Sequence, residues 1–173
     1  MKILVVLEPG ELREAAIGGI DRRISAIVNG RRSHVKEKNY QQQNWWQSDV
    51  VGAVGEYAVA KAFGRPWSPT VGRIDALDVH RYQVRSTEQR EARLRVRKWD
   101  NPDDLYILAQ VHNNRVLLHG YLPGHRVLET GIEEFPNCWS VPTWDLYMMS
   151  DLPEDICWGK DVNIYRMPPL QIQ

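Results

Sequence analysis

A mixed α/β sheet flanked by helices is the fold class that this 173-residue sequence predicts. Two N-terminal stretches with helical apolar spacing, then four consecutive strand signals between residues 79 and 122, lead to that expectation. The run KILVVL reads as a first strand, and the following EPG as a break. From Glu11 to Asn29, Leu12, Ala16, Ile20, Ile24, Ile27 and Val28 recur at helical spacing, and Gly30 stands where a left-handed cap is wanted. This is an amphipathic helix by pattern. RRSHVKEKNYQQQ, from Arg31, is polar and without periodicity, so it reads as a loop.

Asn44 and Gln47 form an N-x-x-Q pattern like a capping box, with Ser48 as a rival cap. The helix that follows runs to about Phe63 and stops at Gly64, with Pro66 and Pro69 beyond it. Strands are expected around Val79 to Ser86 and Ala92 to Val96. In the second, Ala92, Leu94 and Val96 face one way and Arg93, Arg95 and Arg97 the other. LYILAQV and RVLLHGYL, joined by His112-Asn113-Asn114, make a hairpin whose asparagines tolerate positive φ. Residues from Glu129 onward, rich in Pro, Trp and acids, predict irregular structure with short strands or turns packed on the sheet. The whole reads as one domain: strand, helix and basic loop over 1–48, a core over 49–122, and an irregular extension over 123–173.

Equal numbers of basic and acidic residues, 22 each, hide an asymmetry. Between Arg81 and Lys98 seven basic residues face two acidic ones, whereas Glu129 to Asp161 carries eight acids and one lysine. Such a basic segment is either a solvated face or a seat for a polyanion. Cys138 and Cys157 show no metal-site or disulfide-framework spacing. KILVVL is too short for a signal peptide or membrane span, so a cytoplasmic protein without a membrane partner is expected. Seven tryptophans suit a core or a subunit interface, which leaves self-association open, while Trp45 and Trp46 beside the basic loop are alternatives for base stacking.

The second helix, DVVGAVGEYAVAKAFG, contains Gly52 and Gly55. Each costs about 1 kcal/mol relative to alanine, so close approach to a sheet is the expected reason. Glu56 then lies near the helix–sheet seam, an expensive place for an unpaired carboxylate. It either pairs with an arginine such as Arg85 or serves a cation site. Hard cations take carboxylate and carbonyl oxygens, so Glu56, Asp78 and the Val84 carbonyl are a candidate donor set. On an unbroken strand Asp78 would lie opposite Gln83 and Arg85, and a turn near His80-Arg81 is therefore required. Asp75 is the reserve acid, about 26 Å from Gln83 along a straight chain.

G-x-V-G-E-Y-A-V-A-K-A-F-G, then IDALDV, then YQVRST, resembles the PD-(D/E)XK phosphodiesterase superfamily, with its restriction-endonuclease-like fold, and in particular its small phage-type members. The similarity spans Val50 to Tyr121. It implies a mixed central sheet, one or two Mg²⁺ (or Mn²⁺) ions, and Glu56, Asp78, Gln83 and Arg85 as the catalytic set. Arg85 stands where active members usually have lysine, and arginine stays protonated. Gln83 in place of a carboxylate removes a negative charge from the metal site.

The function implied by this resemblance is metal-dependent phosphodiester hydrolysis, with DNA as partner and the host cytoplasm as location if phage-encoded. Arg93, Arg95 and Arg97, with Arg31, Arg32 and Lys36, would hold the nucleic-acid backbone. The alternatives are a catalytically silent member that binds nucleic acid or protein, and a structural or assembly protein.

Overall fold

The computed structural model describes residues 1–30, 45–69, 77–152, 155–157 and 160–165. It is a mixed α+β structure. Strand β1 (Lys2–Val6) leads into helices α1 (Pro9–Val28) and α2 (Trp45–Ala62), followed by β2 (Tyr82–Thr87), β3 (Arg93–Arg97), β4 (Leu105–His112) and β5 (Arg115–Pro123). Helix α3 (Gly124–Thr130), β6 (Ile132–Phe135), β7 (Cys138–Pro142) and β8 (Val162–Tyr165) complete the order. None of the described helices is long and apolar enough to cross a membrane.

The larger sheet has the order β2-β4-β5-β1-β8, with β2 parallel to β4 and the other neighbours antiparallel. Helices α1 and α2 pack together, and α2 lies across β2, β4, β1 and β5. Between them sits the main core, which includes Ile3, Val5, Val59, Ile107 and Leu118. Tyr106 and Leu108 point to the other face of β4 and join Leu94, Val96, Val127 and Val141 in a second core. Burial on both faces explains why the LYILA run of β4 is apolar rather than alternating. The β4–β5 hairpin turns at Asn113, whose φ is 55°.

Strand β3 does not join the larger sheet. It pairs antiparallel with β7, and β7 with β6, in a three-stranded sheet of its own. Period-two alternation marks a strand but not its neighbour, and this neighbour lies more than 40 residues downstream. Beyond residue 123 the chain supplies three short strands, as expected, and helix α3, which was not.

Helix α1 forms where the spacing predicts, beginning at Pro9, with the Glu8 N–H bonded to the Glu11 carboxylate at 2.7 Å. Its orientation differs from that of an ordinary amphipathic helix. The buried positions are Ala15, Gly18 and Gly19, whereas Ile17, Ile20, Ile24, Ile27 and Val28 are exposed. Close approach of α2 is the reason. A Cβ on Gly19 would come within 2.6 Å of the Val50 Cα.

The expectation for the α2 glycines divides. A Cβ on Gly55 would meet Ser86 Oγ at 2.0 Å, Ser86 Cβ at 3.0 Å and Ala109 Cβ at 3.2 Å, so this glycine lets α2 sit on β2 and β4. Gly52 has open space around its missing Cβ. Urea unfolding should therefore separate them: Gly55→Ala loses about 1–3 kcal/mol through overpacking, while Gly52→Ala gains up to about 1 kcal/mol from helix propensity. Equal effects of the two substitutions would contradict this packing.

Candidate functional site

The site is assembled where α2, β2 and a tight turn converge. Contact of α2 with the sheet carries Glu56 into the interior, where it is 4 % exposed. Ahead of β2 the chain doubles back. The Tyr82 N–H donates to the Val79 carbonyl at 2.9 Å, the Val79 N–H donates to the Tyr82 carbonyl at 3.1 Å, and His80 adopts a φ of 53°. This is the reversal near His80-Arg81 that parity demands, and it turns Asp78 back along β2. The Asp78 Oδ2 accepts the Val84 N–H at 2.8 Å. That N–H therefore points away from β4, and so does the Val84 carbonyl, because both backbone groups of a strand residue point to the same side.

Glu56 and Asp78, separated by 22 positions in the chain, come close enough for their charges to repel. Burial drives the Glu56 carboxyl above its ordinary range. Asp78 pushes the same way, and Arg22 opposes without prevailing. Asp78 keeps some solvent contact but is surrounded by protein on most sides, so its pKa is also raised by desolvation first. The Val84 N–H, Arg85 and Arg22 favour its charged form, and Asp100 opposes it.

The partner of Glu56 is Arg22, not Arg85 as one alternative held. Its Nη1 donates to Oε1 at 2.6 Å and its Nη2 to Oε2, a two-pronged pair across the α1–α2 seam. The Trp67 indole faces the same carboxylate and favours its charge, although its N–H lies outside hydrogen-bond geometry. Arg85 instead binds Asp100 at 2.9 Å and lies 4.8 Å over the Tyr106 ring. Gln83 donates to Asp104 Oδ2 at 3.3 Å. Both acids belong to the turn between β3 and β4, which is tied down by the Arg97 N–H to Asp100 Oδ2 at 2.9 Å and Asn101 Nδ2 to Asp104 Oδ1 at 2.8 Å.

Arg22, Asp100 and Asp104 are thus site neighbours that the linear motif does not contain. Arg22 follows Gly18 and Gly19 by one turn on the small-residue face of α1. WDNPDD, dense in residues that bond their own backbone, signals a rigid turn at Asp100.

The proposed backbone-binding face is only partly available. Arg93 Nε donates to Ser140 Oγ at 2.9 Å, and Arg95 makes two 2.8 Å contacts with Glu134 on β6. The Arg95 bond is the main cause of a lowered Glu134 pKa. Part of the basic segment therefore neutralises the acidic one within the molecule. Arg97 remains exposed, 5.9 Å over the Trp99 ring. Arg31, Arg32, Lys36 and Asp75 lie outside the described residues, as does the Asn44 of the expected capping box.

Among the described residues, no three His, Cys, Asp or Glu side chains gather closely enough to hold a metal. Two carboxylates with a strand carbonyl still suit Mg²⁺ or Mn²⁺, because Mg²⁺ is commonly held by one or two carboxylates plus waters and substrate phosphate. Such a cation would offset the burial that raises both pKa values and the repulsion that Asp78 adds at Glu56, but Arg22 first has to release a Glu56 oxygen.

Arg22→Ala is expected to cost about 3–5 kcal/mol at pH 7, as for other broken buried pairs, and less near pH 4, where Glu56 takes up a proton. A carboxyl with a raised folded pKa binds protons more readily folded than unfolded. The cost of its charge is absent below the ordinary range, near pH 4, and grows as pH rises through the raised value. Asp78→Asn, which keeps an acceptor for the Val84 N–H, should therefore have a higher urea midpoint than wild type at pH 7, with the gap closing toward pH 4. A variant less stable than wild type at pH 7 would contradict the sign. Comparisons with known protein families, curated proteins and solved structures find no match to this chain.

Proposed function

We propose that the protein is a metal-dependent phosphodiesterase acting on DNA, built on a restriction-endonuclease-like arrangement. One observation carries this reading: Glu56, which is buried, and Asp78, which is half-buried, come from distant chain positions to within repelling range, Arg85 acts on Asp78, and burial raises both pKa values. Stability alone gives little reason to gather like charges there, and perturbed carboxylates in one place mark candidate functional sites. Glu56, Asp78 and the Val84 carbonyl would hold Mg²⁺ or Mn²⁺. When bound, the cation supplies a more acidic water and polarises the phosphate.

The remaining roles belong to the chain. Arg85 is permanently protonated and serves as a fixed cation for a phosphate oxygen, with Asp100 and the Tyr106 ring holding its guanidinium in place. Gln83 orients by hydrogen bonding without adding charge. The Val84 N–H fixes Asp78 Oδ2 and thereby the direction of the carboxylate. Arg97 provides a contact to the nucleic-acid backbone that carries no sequence preference.

A second reading, a catalytically silent member that binds nucleic acid or protein, is favoured by a different observation. Arg22 already occupies both Glu56 oxygens and supplies the positive charge a metal would bring.

Incubation of plasmid and single-stranded DNA with Mg²⁺ or Mn²⁺ separates the two. The first reading predicts cleavage that falls by about 100-fold or more in Glu56→Ala and Asp78→Ala. Cleavage that persists in both variants removes this site from consideration, and binding without cleavage in the wild type supports the silent member. If DNA binds through the basic strand, affinity falls steeply with salt. Arg97→Ala should then reduce the salt slope by about 1, and Arg95→Ala by less, because Glu134 already neutralises it.

A further inference from the structure

Trp99 stands 56 % exposed on the turn between β3 and β4, directly before Asp100. An exposed indole is ordinary by itself, but this one follows cations that the fold leaves unpaired. Arg93 and Arg95 are taken up by Ser140 and Glu134, whereas Arg97 and Lys98 are exposed and form no ion pair among the described residues. The Arg97 guanidinium lies 5.9 Å over the indole ring, which sets a positive charge beside a flat apolar surface. The turn is fixed: the Asp100 N–H donates to the Arg97 carbonyl at 2.9 Å and the Lys98 N–H to the Asn137 carbonyl at 3.0 Å. Other tryptophans lack this setting. Trp144 is 80 % exposed with no cation over it among the described residues, and the Arg23 that lies over Trp45 is already paired with Asp49.

We propose that Trp99 is a stacking platform for an unpaired base of single-stranded DNA, with Arg97 and Lys98 on the flanking phosphates. Position connects it to the Glu56 and Asp78 site. One oxygen, Asp100 Oδ2, accepts both the Arg85 Nη2 and the Arg97 N–H at 2.9 Å, so those two donors lie at most twice that distance apart. A strand with a phosphate at Arg85 has the start of the Trp99 turn as its immediate neighbour. The assignment rests on the phosphodiesterase reading for that phosphate, and not for the stacking itself.

Chemistry selects the occupant. An indole beside two unpaired cations suits a ligand that alternates flat rings with negative charges, which is the makeup of a single nucleic-acid strand. In a duplex each base face is already covered by its neighbours, so an indole meets only edges and backbone. An acidic peptide satisfies the cations but offers no repeated flat faces to the ring. Acids in the same turn give the strand a side. Asp100 is neutralised by Arg85, but Asp103 is exposed and repels a phosphate, so the backbone keeps to the Arg97 and Lys98 end.

Fluorescence anisotropy of the full chain with labelled oligo-dT, an abasic strand of the same length and the matching duplex, all in EDTA, tests the proposal. Wild type should bind oligo-dT more tightly than either of the others. Trp99→Ala should lose about 5- to 100-fold in affinity for oligo-dT, the range expected for one stacked base, and little for the abasic strand. Trp99→Phe, which keeps a ring, should retain most of the affinity, and Trp144→Ala should change nothing. Equal loss on both strands in Trp99→Ala, no loss on either, or a wild type that prefers the duplex or binds none of the three overturns the proposal. Cleavage assays with Mg²⁺ run in parallel keep the two ideas apart. DNA cleavage by a chain whose binding ignores Trp99 strikes the platform alone, whereas Trp99-dependent binding without cleavage strikes the phosphodiesterase reading and leaves the platform.

Discussion

The ion pair between Arg22 and Glu56 joins the two helices to each other and sets the electrostatics of the interior. A carboxylate carried on the buried face of α2 would be untenable alone. Arg22 reaches it because α1 lies very close to α2, with Gly19 against the Val50 backbone. The same closeness turns α1 about its axis. Its isoleucines and Val28 are left exposed, and an arginine takes the place that a leucine would fill in an ordinary bundle.

Even with this partner, Glu56 remains reluctant to ionise, because it is buried and because Asp78 is brought toward it. Asp78 is held by the Val84 N–H, and that bond exists because the chain reverses at His80 before entering β2. Arg85 and Gln83 are anchored by Asp100 and Asp104 from a turn ordered by its own hydrogen bonds. Arg22, Glu56, Asp78, Arg85 and Asp100 therefore form one connected set of charges rather than separate surface pairs. Under the proposed function, the two acids would hold a cation and Arg85 a phosphate oxygen. That is the physical basis of the phosphodiesterase reading.

Local features were the legible ones. Asn113 in the hairpin, Gly64 after α2 and the reversal at His80-Arg81 follow from backbone preference or strand parity over a few residues, and each lies where expected. Glu56 and Asp78 were singled out from motif order, and the charge of Asp78 acts on Glu56 across 22 positions. Arg22 was not, because nothing in a linear motif records which helix face approaches a neighbour, and the aliphatic stripe of α1 pointed to the wrong face. Strand β3 was recognisable by alternation, but its pairing with β7 depends on a contact far along the chain. The arginines of β3 looked like a free basic face for the same reason: Glu134 and Ser140, which engage two of them, arrive only with that second sheet.

The most direct measurement of the central claim is a carboxyl-carbon NMR titration of Glu56 and Asp78, with and without Mg²⁺. A cation site made from two crowded carboxylates predicts that both titrate above the ordinary carboxylate range without metal, and that millimolar Mg²⁺ lowers both together, in the concentration range typical of weak oxygen-ligand sites. Ordinary titration of either group, or a pair indifferent to Mg²⁺, would contradict it.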